Sequence, residues 1–347
     1  MVTATPANYA QRFNTERDRL LAALGAVTEG GVIERAQHVG STALNGAHGS
    51  GVVDIALSVW PFPLEGPALA ALRALGYRRL PGPAGAPEQR WRHARRPVQL
   101  LLAEAGTEIF QNYLTVRDYL SHLGSAAPRP PASGRERWFQ RLLPRANAWW
   151  VGRHGFDTVE ALAAEMAGFE RPWHIASGWA IDLFLGAASR VHHDIDVQIA
   201  RDDQLALRAH LEARGWTFVT PYAGRLERWP PGMRLEGERH QAHAHRGAAF
   251  IDCLLSDIHA GVWHYRRQPE VVRLMARAER RTPAGVPYLA PELALLFKSK
   301  NTGRHPRAQD QADFERVWPR LEPEGRAWLR WALTAADPGH PWIERLA

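Results

Sequence analysis

The 347-residue chain is predicted to fold as two domains of mixed α/β and α+β character, joined by a linker. Three observations predict this. The length suits two domains of ordinary size, and an apolar content of 45% can supply a core to each. Residues 124–134, GSAAPRPPASG, are rich in Gly, Pro, Ala and Ser without periodicity and read as a linker or long loop. Each side of that stretch carries the same local pattern: a Gly/Ser turn, then a loop or short helix, then an apolar strand bearing aspartate. Gly40-Ser41 leads to Asp54, and Ser177-Gly178 leads to Asp194 and Asp196.

In the first domain, residues 8–25 place apolar side chains at helical spacing and predict an amphipathic helix. Val32 to Glu34 then leads into HVGSTALNGAHGSGVVDIALSV (38–59), a turn and glycine-rich loop followed by the Asp54 strand. A helix over 64–77, a strand at 97–102 and a helix at 110–120 complete it. After the linker, residues 135–156 predict a connecting helix with Trp138, Phe139, Leu142 and Leu143 on one side. Trp149 and Trp150 are expected to pack between the domains, because an exposed aromatic patch of that size is unusual.

The second domain opens with a helix over 157–168 and a strand at 173–177. SGWAIDLFLGAASRVHHDIDVQI (177–199) then reads as a turn, a short helix from Trp179 to Leu185, a loop, and a strand carrying Asp194 and Asp196. Side chains alternate along a strand, so these carboxylates share a face, roughly 7 Å apart along the chain. They can share one ion or bracket a close pair, and two Mg²⁺ ions about 3.5–4 Å apart are the usual device for displacement at phosphorus. The turn at a helix N-terminus offers backbone N–H groups to a phosphate. A helix over 201–216, capped by Asp202 or Asp203, and a WPPG turn (229–232) follow. His240, His243 and His245 read foremost as a hairpin of neutral polar histidines, with zinc on His243 and His245, which share a strand face, as the alternative. Asp252 interrupts the apolar strand 248–257; an acid there is costly to bury unless it meets a cation. Cys253 alternates to the core side. Pro291 and Glu292 start a helix with Leu293, Leu296 and Phe297 on its apolar side. Of 43 basic residues only Lys298 and Lys300 are lysine, and a compact ammonium acts on phosphate as a point charge.

Two resemblances follow from these strings. GWAIDLFLG and HHDIDV, with YLAPELALLFKSK and RAQDQADF further on, resemble the aminoglycoside/lincosamide branch of the DNA polymerase β-like nucleotidyltransferases over about 173–347, with Gln309 in place of the usual Lys. The resemblance implies transfer of a nucleoside monophosphate from an NTP, ATP foremost, to a hydroxyl of a small acceptor such as an aminoglycoside or lincosamide. Asp194 and Asp196 would hold Mg²⁺, two ions in all. Asp252 would complete the metal set and act as base or hold the second ion. Ser177, Gly178, Lys298 and Lys300 would bind the nucleotide. Asp182, Asp202, Asp203, Glu236 and Glu238 are candidates for an acidic acceptor pocket.

HVGSTALNG and FQNYLTVRDYL resemble the GrpB-like family over roughly the first 120 residues, which implies a second nucleotidyltransferase-like fold. This copy departs from the pattern at Asn45-Gly46 and Ser50-Gly51, offers one carboxylate (Asp54), and has Gln99 where a second acid would help. It is read as non-catalytic: a substrate-shaping, dimerising or docking module, with His38, Gly40, Ser41 and Asp54 as a candidate ligand site. The expected organisation is therefore 1–123, a linker and connecting helix over 124–156, and 157–347.

Other classes are disfavoured. A single cysteine allows no internal disulfide, and no apolar run approaches the roughly 18 residues of a membrane span. A cytoplasmic protein is expected. The net charge of +7 is spread rather than gathered in an arm, so nucleic acid is not the expected partner. A dimerising first domain leaves a homodimer open. An RNA-directed nucleotidyltransferase and a non-catalytic ligand-binding regulator remain the rival readings.

Overall fold

The computed structural model describes residues 6–26, 32–44, 51–83, 85–131, 134–247, 249–299 and 306–347. Asn45, Gly46, Ser50 and Lys300 lie outside them. The chain divides into two compact units: Met1–His154 with Arg190–His193 and Val219–Trp229, and the remainder.

In the first unit, α1 (Pro6–Gly25) precedes β1 (Ile33–Val39) and β2 (Val53–Val59). Then come α2 (Gly66–Ala74), β3 (Tyr77–Arg79), β4 (Glu88–His93), β5 (Val98–Glu104) and α3 (Glu108–Leu123). The strands form one mixed sheet in the order β1-β2-β5-β4-β3, parallel only between β2 and β5. Strand alternation divides its faces. Val53, Ile55, Leu57, Leu100 and Leu102 pack under α1 and α2, while Ala56, Leu101 and Ala103 meet Phe110 of α3. The connecting helix is α4 (Arg135–His154), and it packs on α3. Leu142 and Ala146 are buried against Val116 and Leu120, with Trp138, Phe139 and Leu143 beside them. Trp149 stacks on His122 of α3 with ring centroids 5.1 Å apart, so this tryptophan is taken up inside the first unit.

The second unit begins with α5 (Asp157–Glu165), β6 (Trp173–Ile175), α6 (Ser177–Leu185), β7 (Asp196–Ala200) and α7 (Gln204–Glu212). β8 (Thr217–Tyr222) and β9 (Arg225–Arg228), most of whose residues are counted with the first unit, pair with each other as a hairpin. β10 (Gln241–Arg246) and β11 (Ala249–Ser256) form another. A small sheet of β12 (Ile258–His259), β13 (Val262–His264) and β14 (Val272–Leu274) follows, then α8 (Met275–Ala278), β15 (Glu279–Arg281) and β16 (Pro287–Leu289). Within the second unit the main sheet runs β15-β16-β6-β7-β11-β10. α9 (Pro291–Ser299), α10 (Ala308–Val317), α11 (Pro323–Ala336) and α12 (Trp342–Arg345) close the unit. Leu293, Leu296, Phe314, Leu329 and Trp342 share a core with Ile181 of α6, and Phe314 stacks on Trp342 at 4.2 Å.

Both units are small mixed sheets flanked by helices. Their first four paired strands repeat one pattern: β1 antiparallel to β2, β2 parallel to β5, β5 antiparallel to β4. β6, β7, β11 and β10 do the same.

Candidate active site

The site is assembled from β6, α6, β7, β10 and β11 of the second unit. β7 opens at Asp196, so Asp194 lies two residues before the strand rather than within it. β7 and β11 are parallel, with Asp196 directly opposite Asp252. The amide of Asp252 donates to the Ile195 carbonyl at 3.0 Å, and that of Ala176 to the Asp196 carbonyl at 2.9 Å. These bonds lock the register that brings the acids together. One oxygen each of Asp194, Asp196 and Asp252 lies within 4.8 Å of the others. Asp252 is 6% exposed and Asp196 9%.

Three carboxylates gathered at low exposure repel one another unless a cation offsets them. Their hard oxygen donors are the type that Mg²⁺ or Mn²⁺ takes. The residues therefore fit a divalent cation.

The surrounding chain holds these acids in place. Trp179 of α6, 1% exposed, donates its indole N–H to the Asp194 carbonyl at 3.0 Å. α6 ends at Gly186, whose φ of 76° is the left-handed cap that glycine adopts freely. Asp182 then ties the loop that follows: its carboxylate accepts from the Ser189 amide at 2.9 Å and from the Ser189 hydroxyl at 2.6 Å. Arg316 stands 3.6 Å away. Asp182 is fully buried, so it belongs to this brace and not to an acidic acceptor pocket. Asp202 and Asp203 are likewise engaged, with Arg234 at 2.9 Å and Arg171 at 3.6 Å.

Ser177, the first residue of α6, takes a φ of 54°, an uncommon conformation for a side-chain-bearing residue. It turns the chain from β6 into the helix, and Gly178 is buried behind it. The turn is placed where an anion at the helix N-terminus would meet backbone N–H groups.

Lys298, expected to reach a phosphate, stands elsewhere in its contacts. Its ammonium lies 2.9 Å from Asp310 and 2.9 Å from Asp313, all three side chains nearly inaccessible. Arg307 bonds Asp310, and Arg316 bonds Asp313. The lysine joins α9 to α10.

Sequence reasoning missed Gln241. Its side-chain amide donates to Asp252 Oδ2 and lies 3.2 Å from His243 Nε2. His243 is directly opposite Asp252 across the hairpin. The alternation of Gln241, His243 and His245 on one strand was the available signal, since the next strand carries the acid. Cys253 is fully buried, and burial with the nearby Asp252 charge pushes its thiol pKa well up.

The first-unit candidates separate. Val39 is opposite Asp54 and His38 opposite Ile55, so His38 and Asp54 point to opposite faces of the sheet. His38 stacks on Phe13 and bonds Thr42 at 3.0 Å. Burial, with Arg117 adding, lowers its pKa to about 4. Gly40, Ser41 and Asp54 stay together: an added Cβ at Gly40 would come 2.3 Å from Asp54 Oδ2. Burial raises the Asp54 pKa to about 6.

Comparison with known proteins finds family matches for two separate stretches of the chain. Residues 1–129 match the family model for GrpB protein, and 158–317 match that for aminoglycoside-2''-adenylyltransferase. The lincomycin-bound lincosamide antibiotic adenylyltransferase LnuA is similar in structure, at 16% identity and a TM-score of 0.34, covering 46% of this chain and 92% of that one. ANT(2'')-Ia in complex with adenylyl-2''-tobramycin aligns at 18% identity and a TM-score of 0.31, covering 55% and 92%. GrpB from Enterococcus faecalis aligns at 15% identity and a TM-score of 0.30, covering 40% and 92%. No functionally curated protein matches the chain in sequence. Among the described residues, no helix is long and apolar enough to cross a membrane.

Proposed function

For a chain that joins a GrpB domain to a nucleotidyltransferase domain, we propose that the second domain moves a nucleoside monophosphate from ATP to a hydroxyl of a small acceptor. The aminoglycoside-2''-adenylyltransferase match makes an aminoglycoside the foremost acceptor class, with lincosamides next. The observation that carries the reading is the direct opposition of Asp196 and Asp252 on parallel strands, with Asp194 in reach of both.

In the proposed reaction the acceptor oxygen attacks the α-phosphorus, the bond to the bridging oxygen breaks, and pyrophosphate leaves. Asp252 takes the proton of the attacking hydroxyl. Gln241 donates to Asp252 Oδ2 and so holds that carboxylate in one orientation. The Ser177-Gly178 turn binds phosphate oxygens through backbone N–H groups and the Ser177 hydroxyl. Asp194, Asp196 and Asp252 would hold Mg²⁺, two ions by the usual arrangement, which would neutralise charge on the phosphates. Trp179 and Asp182 keep Asp194 and its loop in place, which matters because phosphoryl transfer rests on positioning.

The test is pyrophosphate release from each NTP with Mg²⁺, across a panel of aminoglycosides and lincosamides, in wild type and Asp196→Asn. Acceptor-dependent release that disappears in the variant is expected. ATP binding without release for any acceptor would favour a ligand-binding regulator. No NTP binding would overturn the reading.

A further inference from the structure

The repeated strand pattern allows the two units to be compared position by position. In the second unit, Asp196 is opposite Asp252, Asp252 is opposite His243, and Gln241 stands two residues along β10 on the same face. In the first unit, Asp54 is opposite Gln99, Gln99 is opposite Arg92, and Arg90 stands two residues along β4 on the same face. A left-handed residue follows the first strand in each, Ser177 in one and Gly40, at φ 73°, in the other.

The chemistry at these four positions is inverted. The second unit presents two carboxylates with a neutral amide and an imidazole. The first presents one carboxylate, one amide and two guanidinium groups. Among the described residues no second acid gathers with Asp54 to share a divalent cation, Glu88 on the same face standing four residues along β4 from Arg92, and Arg92 and Arg90 stand at the positions taken by His243 and Gln241 in the other unit. Arg90 is held in a set orientation by the Tyr113 hydroxyl at 3.0 Å and by Glu136 at 2.8 Å, with Glu88 at 3.5 Å. Arg92 is exposed and makes no ion pair among the described residues. A planar fork on a rigid strand is suited to bidentate contact with phosphate oxygens. Asp54 lies against the Gly40 backbone at the edge of this face. Its strongest opposing charges are Arg135 and Arg90, which resist but do not cancel the upward push of burial on its carboxyl. An acid kept where burial is costly, against a glycine backbone and beside basic groups, is a candidate for ligand contact.

We propose that this face of the first unit binds a nucleoside phosphate without a divalent cation. Arg92 and Arg90 take the phosphate oxygens, and Asp54 accepts a ligand hydroxyl. His38, on the other face, has no part in it.

The test uses the full chain carrying Asp196→Asn and Asp252→Asn, so that the second site is silenced. Calorimetric titration with ATP and, separately, with inorganic pyrophosphate is done in EDTA. One saturable site is expected for ATP, unchanged by added Mg²⁺ and weakened at least tenfold by Arg92→Ala. Weaker binding of pyrophosphate than of ATP is expected, from loss of the hydroxyl contact. Absence of binding in EDTA overturns the proposal, as does binding that Arg92→Ala leaves intact. Equal affinity for pyrophosphate also overturns the assignment to a nucleoside phosphate. Pyrophosphate release is followed in Arg92→Ala on an otherwise wild-type chain. Its retention keeps a failure here distinct from failure of the second-domain reading, and an unchanged thermal unfolding profile shows that the variant's first unit is folded.

Discussion

Lys298→Met separates two roles that one lysine could play. In the structure the ammonium is shared by Asp310 and Asp313 at 2.9 Å each, and both carboxylates are 2% exposed. Methionine keeps the stem and its packing but strands two buried anions. Breaking a buried pair by removing one partner costs about 3–5 kcal/mol. Arg307 and Arg316 still reach the stranded acids, so the lower end, about 3 kcal/mol, is the expected loss. With a urea slope of about 2 kcal/mol per molar for a domain of this size, the midpoint falls by about 1.5 M. Tryptophan fluorescence during urea unfolding reads the transition, because Trp342 stacks on Phe314 of α10. ATP affinity of the folded variant is expected to stay within twofold of wild type. A midpoint shift below about 0.3 M, together with a tenfold loss of ATP affinity, would refute the reasoning and return Lys298 to the phosphates.

Further predictions follow from the same geometry. Gln241→Leu removes the donor that holds Asp252 and should lower kcat about tenfold, with the KM for ATP little changed; loss confined to KM would count against positioning. Trp179→Phe keeps the buried ring but loses the bond to the Asp194 carbonyl, so a stability loss of about 1 kcal/mol is expected in calorimetry. Asp54→Asn tests linkage. The folded pKa is raised to about 6 from an ordinary 3.8, so the native state binds more protons between those values and stability falls as pH rises through that window. The substitution should therefore stabilise the first unit by up to about 3 kcal/mol at pH 8 and by little at pH 4; thermal unfolding at both pH values decides it. A variant equally stabilising at both would point to packing and not charge. His38, held neutral by burial, should show no imidazolium signal by NMR above about pH 5, whereas an ordinary titration near 6.5 would contradict its placement.

What was legible in the sequence is what depends on near neighbours. Period-two alternation put Asp194 and Asp196 on one face, and the Ser177-Gly178 turn announced itself by residue type. Asp252 stood out because an acid inside an apolar run conflicts with its own surroundings. These signals need only a few residues of context, since they arise from backbone geometry and the cost of burying charge. Two strings were long enough to carry family resemblance, and both domains followed from them.

The remainder depended on partners that no local pattern identifies. Parallel pairing of β7 with β11 joins residues more than fifty positions apart and decides that Asp196 faces Asp252. The β10–β11 register brings in Gln241, an amide with no distinction in the sequence. Lys298 looked like a phosphate ligand until packing of α9 on α10 gave it two buried acids. His38 and Asp54 looked like one site until the β1–β2 register sent them to opposite faces, because shifting a strand by one residue exchanges its sides. Residue type and spacing therefore determined which chemistry is present. Strand register and helix packing decided which groups meet, since the electrostatic cost of a buried charge is settled only by what the folded chain places against it.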